Sequence, residues 1–155
     1  MLLEFRHVSS GDLPALMQLA ADEPNAPHWT TDLYGEIVEQ SRAKRALIEC
    51  AMFEGEMVGF YVARQRFESD WELESIVVAQ QYRKQGIGRQ LMQHLFSQLR
   101  EFAARRLVLE VRASNFPARR LYTQLGFRED GVRRNYYSHP QENAVLLSCT
   151  LTDTC

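Results

Sequence analysis

The chain has 155 residues, 45% of them hydrophobic and 25% charged, enough for one core and consistent with a single domain over 1–155. This excludes wholesale disorder and fibrous repeats, and no apolar run approaches the ~20 residues of a membrane-spanning helix. The net charge of −2 conceals an asymmetry: residues 1–82 carry 6 Lys/Arg against 14 Asp/Glu, and residues 83–134 carry 12 against 4.

In chain order, Leu3 to Val8 alternates apolar and polar residues and predicts a short strand. Ser9-Ser10-Gly11-Asp12 is a turn and cap cluster before a helix with Leu13, Leu16, Met17 and Ala20 on one stripe. Pro24 and Pro27 end it, and Thr30 or Thr31 caps a second helix with Leu33, Tyr34, Ile37 and Val38 as its apolar face. Residues 46–53 and 57–64 form a hairpin around Glu54-Gly55-Glu56, and 71–78 is a further strand. Residues 87–104 give the clearest helix, with Ile87, Leu91, Leu95, Leu99 and Phe102 in register. A buried strand follows at 107–111. Asn115-Phe116-Pro117 opens a compact helix that Gly126 ends. Residues 127–132 and 144–151 close the chain as strands. The order β-α-α-β-β-β-α-β-α-β-β implies an α/β (α+β) fold with a mixed sheet and helices on both faces.

The segment Ile76-Val77-Val78-Ala79-Gln80-Gln81-Tyr82-Arg83-Lys84-Gln85-Gly86-Ile87-Gly88-Arg89 carries the most specific chemistry. A buried strand runs into a glycine-containing loop that opens a long amphipathic helix. Unpaired first-turn amides and the positive helix end form an anion site suited to a pyrophosphate. Arg83, Lys84 and Arg89 add charge there. The third glycine of a dinucleotide fingerprint is absent, as is the Gly-Lys-Ser/Thr of a nucleotide-triphosphate loop.

Arg83-x-x-Gly86-x-Gly88 resembles the acyl-CoA pyrophosphate loop of the GNAT N-acetyltransferase superfamily. Three further stretches are similar to the bacterial ribosomal-protein-alanine N-acetyltransferases within it: residues 109–115, Leu121-Tyr122-x-x-Leu125-Gly126-Phe127, and Arg133-Arg134-Asn135-Tyr136-Tyr137. Pro27-His28-Trp29-Thr30 is similar to that group's Pro-Trp-Ser/Thr, with His28 as an insertion. The resemblance covers residues 27–150. It implies a mostly antiparallel sheet of about seven strands, splayed at a central parallel pair, and an acetyl-CoA-dependent acetyltransferase acting on a primary amine.

The resemblance also implies roles. The backbone at Ile76, Val77 and Val78 would pair with the pantetheine arm. Arg83, Lys84, Gln85, Gly86, Ile87, Gly88 and Arg89 would wrap the pyrophosphate, and Asn115 would contact the CoA arm. Glu110 matches the base that takes the amine's proton, and a carboxylate inside the apolar run 107–111 is odd enough to need a reason. Its plain alternative is an ion pair with Arg112 or another arginine. Glu72 and Glu74, two apart on the neighbouring strand, are the reserve bases. Tyr122 matches the acid that protonates the departing thiolate, or else is one aromatic in the helix stripe with Phe116 and Leu125. The implied acceptor is a protein N-terminus, with a ribosomal protein as the model case. A small-molecule amine, a lysine side chain, or a noncatalytic acyl-CoA-binding module are the alternatives.

An ammonium cannot attack a thioester. Near pH 7, deprotonation costs about 1.4 kcal/mol for an α-amine and over about 4 for lysine, so a modest base suffices for an N-terminus. Cys50, Cys149 and Cys155 are odd in number and lack metal-ligand spacing, and none looks like an acyl carrier. No metal is required. His7, His94 and His139 fall in polar settings that suggest surface positions. The Arg105-Arg106, Arg119-Arg120 and Arg133-Arg134 pairs lack the aromatic motif of a nucleic-acid binder. The amino-terminal residues lack the apolar core of a signal peptide, so a cytoplasmic location away from membranes is expected; a monomer or weak dimer is a separate expectation.

Overall fold

The computed structural model describes residues 1–151; Cys155 lies outside the described residues. The elements are β1 Glu4–His7, α1 Leu13–Ala21, α2 Thr31–Arg42, β2 Ala46–Phe53, β3 Glu56–Phe67, β4 Asp70–Val78, α3 Ile87–Glu101, β5 Arg106–Arg112, α4 Phe116–Gln124, β6 Arg128–Tyr137 and β7 Glu142–Thr150. They follow the expected order. The strands form one sheet, β1-β2-β3-β4-β5-β7-β6. Only β4 and β5 run parallel among neighbouring pairs.

Alternating side chains give the sheet two apolar faces. On one, Ile48, Cys50, Phe60 and Val62 pack against Leu16, Tyr34 and Ile37 of α1 and α2. On the other, Leu47, Tyr61, Trp71, Leu107 and Leu109 pack against α3 and α4. The stripe Ile87, Leu91, Leu95 and Leu99 is almost wholly removed from water, and each such side chain stabilises the fold by roughly 1.5–3 kcal/mol. Thr30 is the α2 cap, its hydroxyl accepting from the Leu33 amide at 3.2 Å.

Strand β3 runs on to Phe67 rather than ending at residue 64, and two further elements depart from the sequence expectation. Helix α3 ends at Glu101 rather than near residue 104, because Ala103 turns left-handed at φ 55° and the Ala104 amide closes on the Leu99 carbonyl. No glycine marks that stop. Strand β6 runs to Tyr137, well past residue 132, by absorbing extra residues against β7 after Glu129 and again between Arg133 and Tyr137.

The feature that makes the site is a third irregularity. The β3–β4 register passes from Val62↔Ser75 to Ala63↔Leu73, leaving Glu74 as the extra residue of a bulge on β4. Trp71 and Leu73 therefore face the α3 core, whereas Val77 faces the α1 core and Ile76 and Val78 lean towards α3. The parallel pairing of β4 with β5 covers only Asp70↔Arg106 to Glu72↔Val108. Beyond it the two strands diverge.

Candidate active site

A cleft of about 690 Å³ opens where β4 and β5 part. Its walls are β4 from Leu73 to Val78, β5 from Leu109 to Arg112, the loop into α3, and the inner side of α4. Ile76, Val78, Arg83, Lys84, Gly86, Ile87, Gly88, Arg89, Glu110, Asn115 and Tyr122 all line it. Among the described residues the edge of β4 beyond Glu72 has no strand partner on this side, so its backbone groups can pair with an extended ligand. The hydroxyl of Ser75 lies on the same wall, buried and without a hydrogen-bond partner among the described residues.

Two expected residues stand apart from the cleft. The Val77 side chain packs into the α1/α2 core, because the Glu74 bulge reverses which residues face each layer. Gln85 belongs to the loop but is not among the cleft's lining residues, its side chain being solvent-exposed.

The phosphate-type loop has the geometry its glycines suggest. Gly86 caps α3 at φ 81°, and Lys84 also turns left-handed at φ 62°. Ile87 is buried in the α3 core and fixes the start of the helix. The first-turn amides of α3 thus point at the cleft mouth. Arg83 bonds the Val78 carbonyl at 3.3 Å and pairs with Glu23, while Arg89 donates to Gln124. Amides, guanidiniums and an open strand edge together fit a long ligand bearing a pyrophosphate.

The acid and base candidates occupy different walls. Tyr122 is buried on α4, with its ring 5.3 Å from that of Phe127. Burial, and secondarily the neighbouring Tyr137, push its hydroxyl above the ordinary tyrosine range, so it stays a protonated donor. Glu110 projects from β5 on the face opposite α3. Its Oε1 lies 3.4 Å from Arg133 Nη2, with the carboxylate side chain 20% exposed. The ion-pair alternative is therefore real, with Arg133 rather than Arg112 as partner. Arg112 instead reaches Glu142 at 3.3 Å and the Pro140 carbonyl at 3.1 Å.

The reserve carboxylates are more firmly engaged. Glu74 is gripped by both Arg64 nitrogens, with one contact at 2.9 Å. Glu72 meets Arg66 at 3.1 Å, yet burial, outweighing that arginine, raises its carboxyl above the usual range. Asn115 Oδ1 accepts from the Ala118 amide at 3.3 Å and caps α4 while lining the cleft. Tyr137 also lines the cleft, beneath the Arg112 guanidinium at 4.3 Å; burial pushes its hydroxyl up to about 12. Glu23 and Ser75 join the site without any local sequence signal, since only the fold brings them there.

Residues 13–127 match the model of the Acetyltransferase (GNAT) family. The chain belongs to this family. It is accordingly an acyltransferase of the N-acetyltransferase type. It is 31% identical over 147 residues, 94% of this chain and 95% of the relative, to a ribosomal protein bS18-alanine N-acetyltransferase of Salmonella typhimurium. The crystal structure of the Escherichia coli ribosomal-protein-S18-alanine N-acetyltransferase superposes with a TM-score of 0.85 at 29% identity, covering 97% of this chain and 95% of that one. A Salmonella typhimurium protein solved with its cofactor acetyl-CoA shares the fold alone, with a TM-score of 0.84 at 16% identity over 99% of this chain and 96% of that one. Among the described residues no helix of this GNAT protein is long and apolar enough to cross a membrane.

Proposed function

We propose that this GNAT enzyme acetylates the N-terminal α-amine of a protein, a ribosomal protein beginning with alanine being the best-supported acceptor. The observation that carries the reading is one cleft that joins the phosphate-type loop to Glu110 on β5 and Tyr122 on α4. Whole-length similarity to the Salmonella ribosomal-protein enzyme supports the acceptor class.

Acetyl-CoA, when bound, supplies the acetyl group as a thioester. Arg83, Lys84, Arg89 and the α3 amides hold its anionic end, and the open edge of β4 aligns the arm towards the splay. Glu110 takes a proton from the acceptor's ammonium, freeing the lone pair that attacks. Tyr122 gives its phenolic proton to the sulfur that departs, and its burial favours holding that proton until then. Asn115, still capping α4, has an amide nitrogen available for the arm. No residue of the chain needs to carry the acetyl group, and buried Cys50, with its thiol pushed up to about 11 by burial, is unsuited to do so.

Incubating a ribosomal-protein mixture with the enzyme and isotope-labelled acetyl-CoA tests the reading. Mass spectrometry should find the label on an N-terminal residue. Label confined to lysine side chains, or to a small amine in a parallel panel, would move the enzyme to a different acceptor class.

A further inference from the structure

Three carboxylates of β4 and β5 each face a guanidinium, Glu74 and Glu110 in the lining of the cleft and Glu72 outside it, but the three pairs differ in firmness. Arg64 grips Glu74 with two nitrogens and is only 26% exposed. Arg66 holds Glu72 at 3.1 Å. Arg133 comes no nearer than 3.4 Å to Glu110, the longest of the three approaches, and its side chain is 57% exposed, as is that of Arg66. This last pair also spans an intervening strand. On β7, Arg133 stands opposite Ala144 and Glu110 opposite Leu146. The arginine leans diagonally across β7, over the small Ala144, to reach the carboxylate.

A second group defines the same place. The Arg133 guanidinium lies 5.1 Å from the centre of the Tyr136 ring, and the negative charge of nearby Glu110 raises the Tyr136 hydroxyl above the ordinary tyrosine range. Carboxylate and aromatic face together make a seat for a cation. Glu110 lines the cleft, whereas Arg133 and Tyr136 are outside its lining, so the seat lies at the border of the cleft. Exposure lets Arg133 swing into water with little loss of packing.

We propose that Arg133 is a specificity-determining residue, its guanidinium holding the seat between Glu110 and Tyr136 that the acceptor's ammonium must take. The proposal rests on the reading of Glu110 as the group that faces the acceptor amine. An acceptor enters as a cation, displaces Arg133, and only then passes its proton from nitrogen to the Glu110 carboxylate. Cationic acceptors are thereby favoured over neutral ones, since a neutral amine cannot replace the guanidinium's charge.

The test uses the full chain, saturating acetyl-CoA and the peptide Ala-Arg-Arg-Gly. Arg133→Ala should lower the peptide KM two- to fivefold, about the range of a partly exposed ion pair, with a smaller change in kcat. Arg133→Lys should keep a KM near the parent value. Millimolar guanidinium chloride, balanced for ionic strength, should inhibit Arg133→Ala competitively with peptide and the parent much less. In a Glu110→Gln background, Arg133→Ala should leave KM unchanged. A KM that rises on Arg133→Ala, or that falls equally in the Glu110→Gln background, overturns the proposal. A Glu110→Gln enzyme with parent kcat overturns the base assignment instead, while the KM comparison still decides the seat.

Discussion

The hydroxyl of Tyr61 lies 3.0 Å from Nδ1 of His94 and ties β3 to the middle of α3. Phe5 stacks on the same imidazole at 4.6 Å, and beneath it lies Glu49, a carboxylate 2% exposed that His7 caps from the solvent side. His94, its side chain 21% exposed, is thus partly buried in a polar cluster around Glu49 and is not the surface residue that its helical position suggests.

This cluster predicts a pH dependence of stability. Burial holds His94 below the ordinary imidazole value of about 6.5. Between that lowered value and 6.5, the unfolded chain binds more protons than the fold, so the histidine's contribution is present above 6.5 and is lost as pH falls. Glu49 acts in the opposite sense: burial raises its carboxyl, so proton uptake by the fold above its ordinary range favours the fold on acidification. Urea denaturation of the parent and His94→Gln, above and below pH of about 6.5, separates the two. The stability difference should shift against the parent on acidification, and parallel profiles would remove His94 as the cause.

Close packing between α3 and the sheet gives a second expectation. A Cβ at Gly59 would sit 2.8 Å from the Val77 carbonyl oxygen and 3.0 Å from Leu91 Cδ1. The first is backbone and cannot yield cheaply, so Gly59→Ala should destabilise by about 1–3 kcal/mol. Gly35, inside α2, has nothing within 4 Å of such a Cβ, and Gly35→Ala should stabilise by roughly 0.5–1 kcal/mol. Denaturant midpoints measure both, and equal signs would contradict the packing argument.

Element order was legible because apolar periodicity is strong in α3, β2 and β5 and because turn residues separate the hairpin strands. The Gly86 loop was legible because a strand, two glycines and an amphipathic helix occur without interruption. The Glu74 bulge was not, since the alternation of burial along β4 continues unbroken while the face reverses. The partner of Glu110 was equally hidden: Arg133 lies 23 residues away in sequence and meets it only because β7 inserts between β5 and β6. The setting of His94 is hidden in the sequence because its surroundings come from β1, β2 and β3, which no helical wheel of α3 contains.

Ligand binding by the α3 loop is tested at Gly86. Nothing lies within 4 Å of a Cβ there, but φ is 81°, so Gly86→Ala brings backbone strain without bulk. Gly86→Glu adds a long anion at the mouth of the proposed phosphate site. Calorimetry should show acetyl-CoA affinity falling much further for Gly86→Glu than for Gly86→Ala. Binding by Gly86→Glu at the parent affinity would remove the loop from the cofactor site.

Proton handling separates the candidate bases. Glu110→Gln should reduce kcat by about 10²-fold or more with little change in acetyl-CoA affinity, and the deficit should shrink as pH approaches the amine's own pKa. Tyr122→Phe keeps the ring packed against Phe127 and should also depress kcat more than binding. Full activity in Glu110→Gln with loss in Glu72→Gln would transfer the base to β4, where burial has already raised the Glu72 carboxyl.

The acceptor prediction follows from charge. Residues 1–82 carry an excess of eight acids, as 14 against 6, and Glu23, Glu74 and Glu110 line the cleft from three different segments. A basic peptide beginning with alanine should therefore bind better than a neutral one. Its advantage should fade with salt, because exposed charges beyond a Debye length of about 10 Å at 0.1 M are screened. Three acceptors compared across an ionic-strength series decide the matter: the Ala-Arg-rich peptide, its N-terminally blocked form with an internal lysine, and a polyamine. The free N-terminus should give the highest kcat/KM and the steepest salt dependence. A higher kcat/KM for the blocked peptide or the polyamine would assign the cleft to side-chain or small amines, and the exposed His28 insertion before Trp29 would then mark where this chain left the N-terminal acceptors behind.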